Sequence, residues 1–259
     1  MSRENASEEE AQTTDAFLGG LVTLVQPTRG HRAGLDAALL QALVPAMQTG
    51  HAVDLGTGVG TIPFCIAARA PALVVTGVER DASLVAMGRR ALLLPENAEF
   101  APRITLIEAD AGDSSEIDRH IGSGRADWVL MNPPFDDLER APPSPVAKRR
   151  QAHIAAPGLL DAWIATAARL LKPAGMIGLI HRPGELPRIV NALGARFGEI
   201  RILPVHASAD DAAIRILVRA RRDSRAPLSL LPGLVLHQKD GAWTASADAI
   251  LRGRAELLL

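Results

Sequence analysis

The periodicity of this chain breaks at residue 55, and that break constrains its fold more than any other feature. The apolar run Ala52-Val53-Asp54-Leu55 gives way to glycine at every second position, Gly56-Thr57-Gly58-Val59-Gly60, and an apolar helical pattern follows over 61–70. A short apolar run bounded by glycine reads as a buried strand. Passing directly from that strand into a helix requires a sharp turn. Glycine supplies it, because it adopts positive φ without steric cost and lets a ligand approach the backbone closely. The helix that follows presents unpaired N–H groups at its start. The spacing is G-x-G-x-G, not the G-x-G-x-x-G of dinucleotide-binding turns. An ordinary strand–helix turn carries similar glycines, so the segment needs support from elsewhere.

That support begins with repetition. Further short apolar strands are predicted over 73–78, 104–107, 126–131 and 175–180, and helices over 82–94, 159–171 and 185–196. Strands alternating with helices of this length build a parallel α/β sheet. The last two strands, 199–205 and 213–219, are joined by a link too short for a helix, which predicts an antiparallel pair. Ahead of the glycine turn, Leu35, Ala38, Leu39, Ala42, Leu43 and Ala46 recur at helical spacing, predicting a helix over 34–47. Residues 1–16 are polar and without apolar period, which predicts a disordered leader. The expected organisation is that leader followed by one domain over 17–259. Its parts are an N-terminal segment 17–50, a core 51–222 and a C-terminal extension 223–259.

Composition narrows the class. With 47% hydrophobic and 22% charged residues over 259 positions, the chain can bury a full core. The single cysteine, Cys65, excludes a disulfide framework and any multi-cysteine metal site and fits a reducing, cytoplasmic setting. His153, His181 and His206 form no pair at metal-ligand spacing, so no metal is expected. No stretch approaches the ~20 apolar residues of a membrane helix. A net charge of −1 gives no bulk attraction to nucleic acid. The basic run Lys148-Arg149-Arg150 remains as a candidate local phosphate contact.

Several strands end on residues that carry chemistry. Glu79 closes the second core strand, about 20 residues past the glycines, where a carboxylate can accept both hydroxyls of a ribose. Asp110 follows the third, where an adenine amino group could be read, with Glu108 and Asp113 as rivals. Asn132-Pro133-Pro134-Phe135 follows the fourth and is the most specific signature in the chain. Two prolines remove two N–H donors and fix φ. The Asn132 side chain and the Pro133 carbonyl are left as acceptors able to grip an NH₂ group. Phe135 offers a stacking face for a flat ring. An Asx-capped turn is the simpler reading, but it does not account for an aromatic placed directly after the prolines.

In this order and spacing, the glycine turn, Glu79 and the NPPF motif resemble class I S-adenosylmethionine methyltransferases that act on planar amino or amide nitrogens. The stretch His31-Arg32-Ala33-Gly34-Leu35-Asp36-Ala37-Ala38-Leu39-Leu40 is similar to the G-T-D-x-x-L-L helix of bacterial tRNA adenine-N6 methyltransferases acting beside the anticodon. The resemblance covers roughly 17–250. It departs where Leu35 replaces a usual Thr, where Phe135 replaces a frequent Tyr, and where Ile154 follows Arg149-Arg150-Gln151-Ala152-His153 in place of Glu. The resemblance implies a Rossmann-like, doubly wound α/β sheet of seven strands, the last hairpin antiparallel, preceded by an N-terminal helical segment. It implies S-adenosylmethionine held by Gly34, Asp36, Asp54, Gly56, Gly58, Gly60, Glu79 and Asp110. Asn132, Pro133, Pro134 and Phe135 would present the target nitrogen, most simply adenine N6 of a tRNA. A protein glutamine N5-methyltransferase, a small-molecule N-methyltransferase and a non-catalytic cofactor-binding assembly partner are the alternatives. The roughly 35 structured residues before the glycine turn are too few for the separate helical domain of the glutamine enzymes.

Overall fold

The computed structural model describes residues 11–29, 32–134, 158–257 and 259. The chain begins with an antiparallel ribbon of β1 (Gln12–Phe17) and β2 (Val22–Pro27), paired from Gln12↔Pro27 to Phe17↔Val22. The expected leader over 1–16 is therefore corrected, since its last residues form a strand, while residues 1–10 lie outside the described residues. Polar side chains hold the ribbon, which is why no apolar period marks β1. Asp15 accepts from Gln26 Nε2 (2.9 Å) and from Arg32 Nη2 (2.8 Å). The buried Asn97 takes the Thr23 N–H (3.0 Å) and donates to the Thr23 carbonyl (2.7 Å).

Helix α1 (Leu35–Gln41) is half the expected length. Pro45 lacks the N–H that would continue the ladder to the Gln41 carbonyl, and the Arg69 guanidinium donates to that carbonyl (3.2 Å) and to the Gln41 side-chain oxygen (2.7 Å). The N-terminal segment is thus a β-ribbon plus one short helix, not a helical segment.

The core alternates as the pattern predicts, with one helix, α4, that the pattern did not mark: β3 (Gly50–Leu55), α2 (Thr61–Arg69), β4 (Leu73–Glu79), α3 (Ala82–Leu92), β5 (Ile104–Glu108), α4 (Ser114–His120) and β6 (Ala126–Met131). The second half holds α5 (Leu159–Leu170), β7 (Leu171–His181), α6 (Leu186–Leu193), β8 (Phe197–His206) and β9 (Ala213–Arg222). The sheet runs β8-β9-β7-β6-β3-β4-β5, and β9 is antiparallel to both its neighbours while the others are parallel. Two further two-residue strands, β10 (Ser229–Leu230) and β11 (Leu234–Val235), pair with the outer edge of β8. They correct the expected seven strands to nine. Both shield the edge strand, which otherwise presents unpaired backbone groups.

Side chains alternate across the sheet into two buried clusters. On one face lie α1, α2, α3 and the C-terminal α7 (Ala245–Leu251); on the other lie α4, α5 and α6. The C-terminal extension folds back on the N-terminal segment, with the Leu257 N–H donating to the Ala42 carbonyl (2.8 Å) and the Ala46 N–H to Glu256 Oε1 (2.6 Å). Because β4 lies on one side of β3 and β6 on the other, the helices that follow β3 and β6 depart to opposite faces of the sheet. A crevice opens at such a switch point beyond the strand carboxyl ends.

Candidate active site

The glycine turn sits in that crevice, and its spacing has a backbone cause. Gly56, Gly58 and Gly60 adopt φ of 71°, 58° and 90°, so every second residue is left-handed. The turn is pinned from β4: the N–H groups of Gly56 and Thr57 both donate to the Val78 carbonyl at 2.9 Å. The Gly58 N–H donates to Glu79 Oε2 (2.9 Å), and Glu79 Oε1 receives the Asp81 N–H (3.0 Å). One glycine of the turn and one in α3 also serve packing. A Cβ on Gly56 would overlap the Trp163 ring of α5, and one on Gly88 of α3 would stand 2.7 Å from the Val59 carbonyl oxygen. A Cβ on Gly58, by contrast, would meet nothing within 4 Å.

Open space above Gly58 belongs to a cleft of about 250 Å³. Its walls bring together Gly34, Asp36, Gly56, Gly58 and Asn132, residues that the sequence singles out separately, together with Arg215 of β9. Asn132 caps β6, and its Oδ1 is buried without a hydrogen-bond partner among the described residues. An acceptor in that state costs on the order of 1–3 kcal/mol unless a donor arrives to satisfy it. Pro133 is buried and Pro134 half-buried behind it, bordering a small hollow with His181 and Arg188. Thr57 also lines the cleft, while its hydroxyl oxygen is buried near Asp54.

Asp54 lies beneath the turn, 1% exposed, and neither carboxylate oxygen makes a hydrogen bond of proper geometry. Burial pushes its carboxyl up to about 8, the Glu79 charge adds to the shift, and the nearby Thr57 hydroxyl opposes it. Gly60 serves as the N-cap of α2. Glu79 touches the cleft only through Gly58. Asp110 stands apart: it is exposed, its Oδ1 takes the Gly112 N–H (2.7 Å), and it does not line the cleft. Phe135 and Lys148, Arg149 and Arg150 lie outside the described residues.

Two site residues escape sequence reasoning. Trp163 reads as one apolar position of a helix, and nothing local marks its contact with Gly56. Arg215 holds Asp36 across 179 positions, with Nε 3.0 and 2.9 Å from the two carboxylate oxygens. Among the described residues, no group of three or more His, Cys, Asp or Glu is placed to hold a metal, and no helix is long and apolar enough to cross a membrane.

The donors and acceptors present suit S-adenosylmethionine. Bare glycine backbone faces the cleft, Asn132 stands in its wall, and an acid closes β4 beside them. Comparison with known proteins agrees. A family model described as the methyltransferase small domain matches residues 32–205. A tRNA1(Val) (adenine(37)-N6)-methyltransferase of Porphyromonas gingivalis is 30% identical over 202 residues, 74% of this chain and 76% of that protein. A 4-amino-L-phenylalanine/4-methylamino-L-phenylalanine methyltransferase of Streptomyces pristinaespiralis is 31% identical over 61% of this chain and 53% of its own length. Among solved structures, a predicted O-methyltransferase from Agrobacterium tumefaciens superposes with a TM-score of 0.74 at 32% identity, covering 86% of this chain and 99% of that one.

Proposed function

This chain belongs to the methyltransferase small-domain family, and on that premise we propose that it methylates an exocyclic amino nitrogen, adenine N6 in a tRNA being the acceptor best supported. It is an S-adenosylmethionine-dependent enzyme. The observation that carries the nitrogen assignment is Asn132, a lining residue of the cleft that holds the glycine turn, whose buried Oδ1 meets no donor among the described residues. Supporting the tRNA are the relatives named for adenine-37 N6 methylation, which align over about three quarters of this chain.

When bound, S-adenosylmethionine supplies a methyl group on a sulfonium sulfur and leaves as S-adenosylhomocysteine. Residues 34, 56 and 58 would hold it, with Glu79 bracing the turn. Asn132 Oδ1 and the Pro133 carbonyl accept the two N–H groups of the target amine. That fixes the plane of the amine and leaves its lone pair directed along the cleft. Catalysis is then mostly positioning. No base is required before attack, because the nitrogen sheds a proton to water once alkylated. Phe135 receives the face of the extruded base, and Lys148, Arg149 and Arg150 contact RNA phosphates. The reading places the enzyme in the cytoplasm, where its RNA is.

A small arylamine acceptor is the second reading, favoured by the Streptomyces relative, whose named substrates are aromatic amines. The test is transfer from labelled S-adenosylmethionine to unmodified tRNA, followed by mass spectrometry of the nucleosides. N6-methyladenosine is the expected product. Label appearing only on 4-aminophenylalanine or on a protein glutamine would overturn the tRNA assignment.

A further inference from the structure

One wall of the cleft joins two pieces of chain far apart in sequence: residues 34–37 at the start of α1, and Ile214 and Arg215 at the start of β9. Helix α1 cannot hold that wall in place by itself. It has seven residues, and its N-cap, Gly34, provides no side-chain cap. Helices so short are marginal without tertiary contacts. Its position is set from outside. Behind it, Arg32 donates to Asp15, to Thr13 and to the Pro27 carbonyl, and the Ala33 N–H donates to Gln26 Oε1 (3.0 Å). Ahead of it, Arg215 Nε meets both oxygens of Asp36, within a pair whose side chains are only 26% and 19% exposed. Sequence analysis expected Asp36 to reach the cofactor, but both its oxygens are engaged by Arg215. The neighbouring Ile214 is 38% exposed, an apolar side chain lining the same cleft as Asn132.

We propose that Arg215 is a positioning residue for methyl transfer. Acting through Asp36, it fixes the 34–37 wall over the glycine turn and sets Ile214 as the apolar surface beside the target amine. The role rests on S-adenosylmethionine use and holds whichever acceptor is correct. Acceptor-free binding of S-adenosylhomocysteine therefore tests it separately from the tRNA reading.

The experiment is a double-mutant cycle on Asp36→Asn and Arg215→Ala, with Arg215→Lys as a charge-retaining control. Calorimetry with S-adenosylhomocysteine, thermal melting, and kcat and KM for the acceptor are the readouts. Misplacing a binding wall is expected to weaken S-adenosylhomocysteine about tenfold or more and to raise KM more than it lowers kcat. A partly exposed ion pair should move Tm by no more than about 4 °C. Each single variant should lose about the same affinity, and the double variant no more than either, because both remove one interaction. Arg215→Lys should recover part of the loss. Unchanged affinity in Arg215→Ala overturns the proposal. So do losses that multiply in the double variant, which would mean that Arg215 contacts the ligand itself and not through Asp36. Should Arg215→Ala fail to fold, the cycle is run with Arg215→Gln and decides on the same criterion.

Discussion

Gly56→Ala perturbs the turn at the point where backbone conformation and packing meet. The residue has φ of 71°, and its added Cβ would overlap the Trp163 ring, with Cζ3 only 2.8 Å away. Two costs follow. Holding an L-residue in the left-handed region costs about 1–2 kcal/mol. Overpacking against a rigid ring that is 7% exposed in the core costs about 1–3 kcal/mol more. The sum, roughly 2–5 kcal/mol, is a large part of the 5–15 kcal/mol that typically holds a domain together. It should lower Tm by roughly 5–15 °C. The turn cannot shift freely to escape, because the N–H groups of Gly56 and Thr57 share the Val78 carbonyl. Cofactor affinity should therefore fall along with stability. Chemical denaturation of Gly56→Ala, Trp163→Leu and the double variant separates the two costs. Among the described residues, Trp163 Nε1 has no hydrogen-bond partner for the Leu to strand. In the Trp163→Leu background, Gly56→Ala should retain only the conformational cost, about 1–2 kcal/mol. An equal cost in both backgrounds would refute the Trp163 contact. A cost below about 0.5 kcal/mol in the parent would refute the left-handed turn itself.

Asp54→Asn should flatten the pH dependence of stability. With its carboxyl raised to about 8, native Asp54 keeps a proton that the unfolded chain releases near 4, so the parent loses stability as pH rises between those values. The Asn variant should be the more stable by a few kcal/mol at pH 8, and denaturation curves that run parallel across pH would dismiss the shift. Asn132→Ala should slow methyl transfer by ~10²–10³ while S-adenosylhomocysteine affinity stays within about twofold; transfer at the parent rate ends the amine-gripping role. Glu79→Ala removes the acceptor for the Gly58 and Asp81 N–H groups, charge-assisted bonds worth ~1.5–3 kcal/mol each. Calorimetry should show cofactor affinity at least tenfold weaker. Replacing Lys148, Arg149 and Arg150 together by Ala should flatten the salt dependence of RNA binding by roughly two to three units, with cofactor affinity unmoved.

What the chain discloses in sequence and what it conceals divide along one physical line. Constraints that act within a few residues are legible. Glycine at 56, 58 and 60 encodes three positive φ values directly, and strands β3 to β9 announce themselves as apolar runs with turns between them. The NPP motif places Asn132 at a strand end, where the fold must expose it to the crevice. Constraints that depend on what another part of the chain supplies are not. Strand β1 reads as polar coil until Gln26 and Arg32 arrive to hold it through Asp15. Helix α1 stops at Gln41 although the apolar period runs on: Pro45 has no N–H to return to the Gln41 carbonyl, and Arg69 from α2 takes that carbonyl instead. Strands β10 and β11 are two residues each and exist because β8 has an open edge. Asp110 follows the same rule in reverse: its place at a strand end suggested a ligand contact, and a local bond to Gly112 takes its side chain instead. The cleft therefore combines both kinds of constraint. Its floor, the glycine turn, is written locally and reads as methyltransferase. The wall at Ile214 and Arg215 is assembled from distant segments, and that is where the shape presented to the acceptor is set. Motif reading identifies the reaction sooner than the acceptor for this reason, and substitutions at the start of β9 should change which amine is accepted more readily than substitutions in the turn.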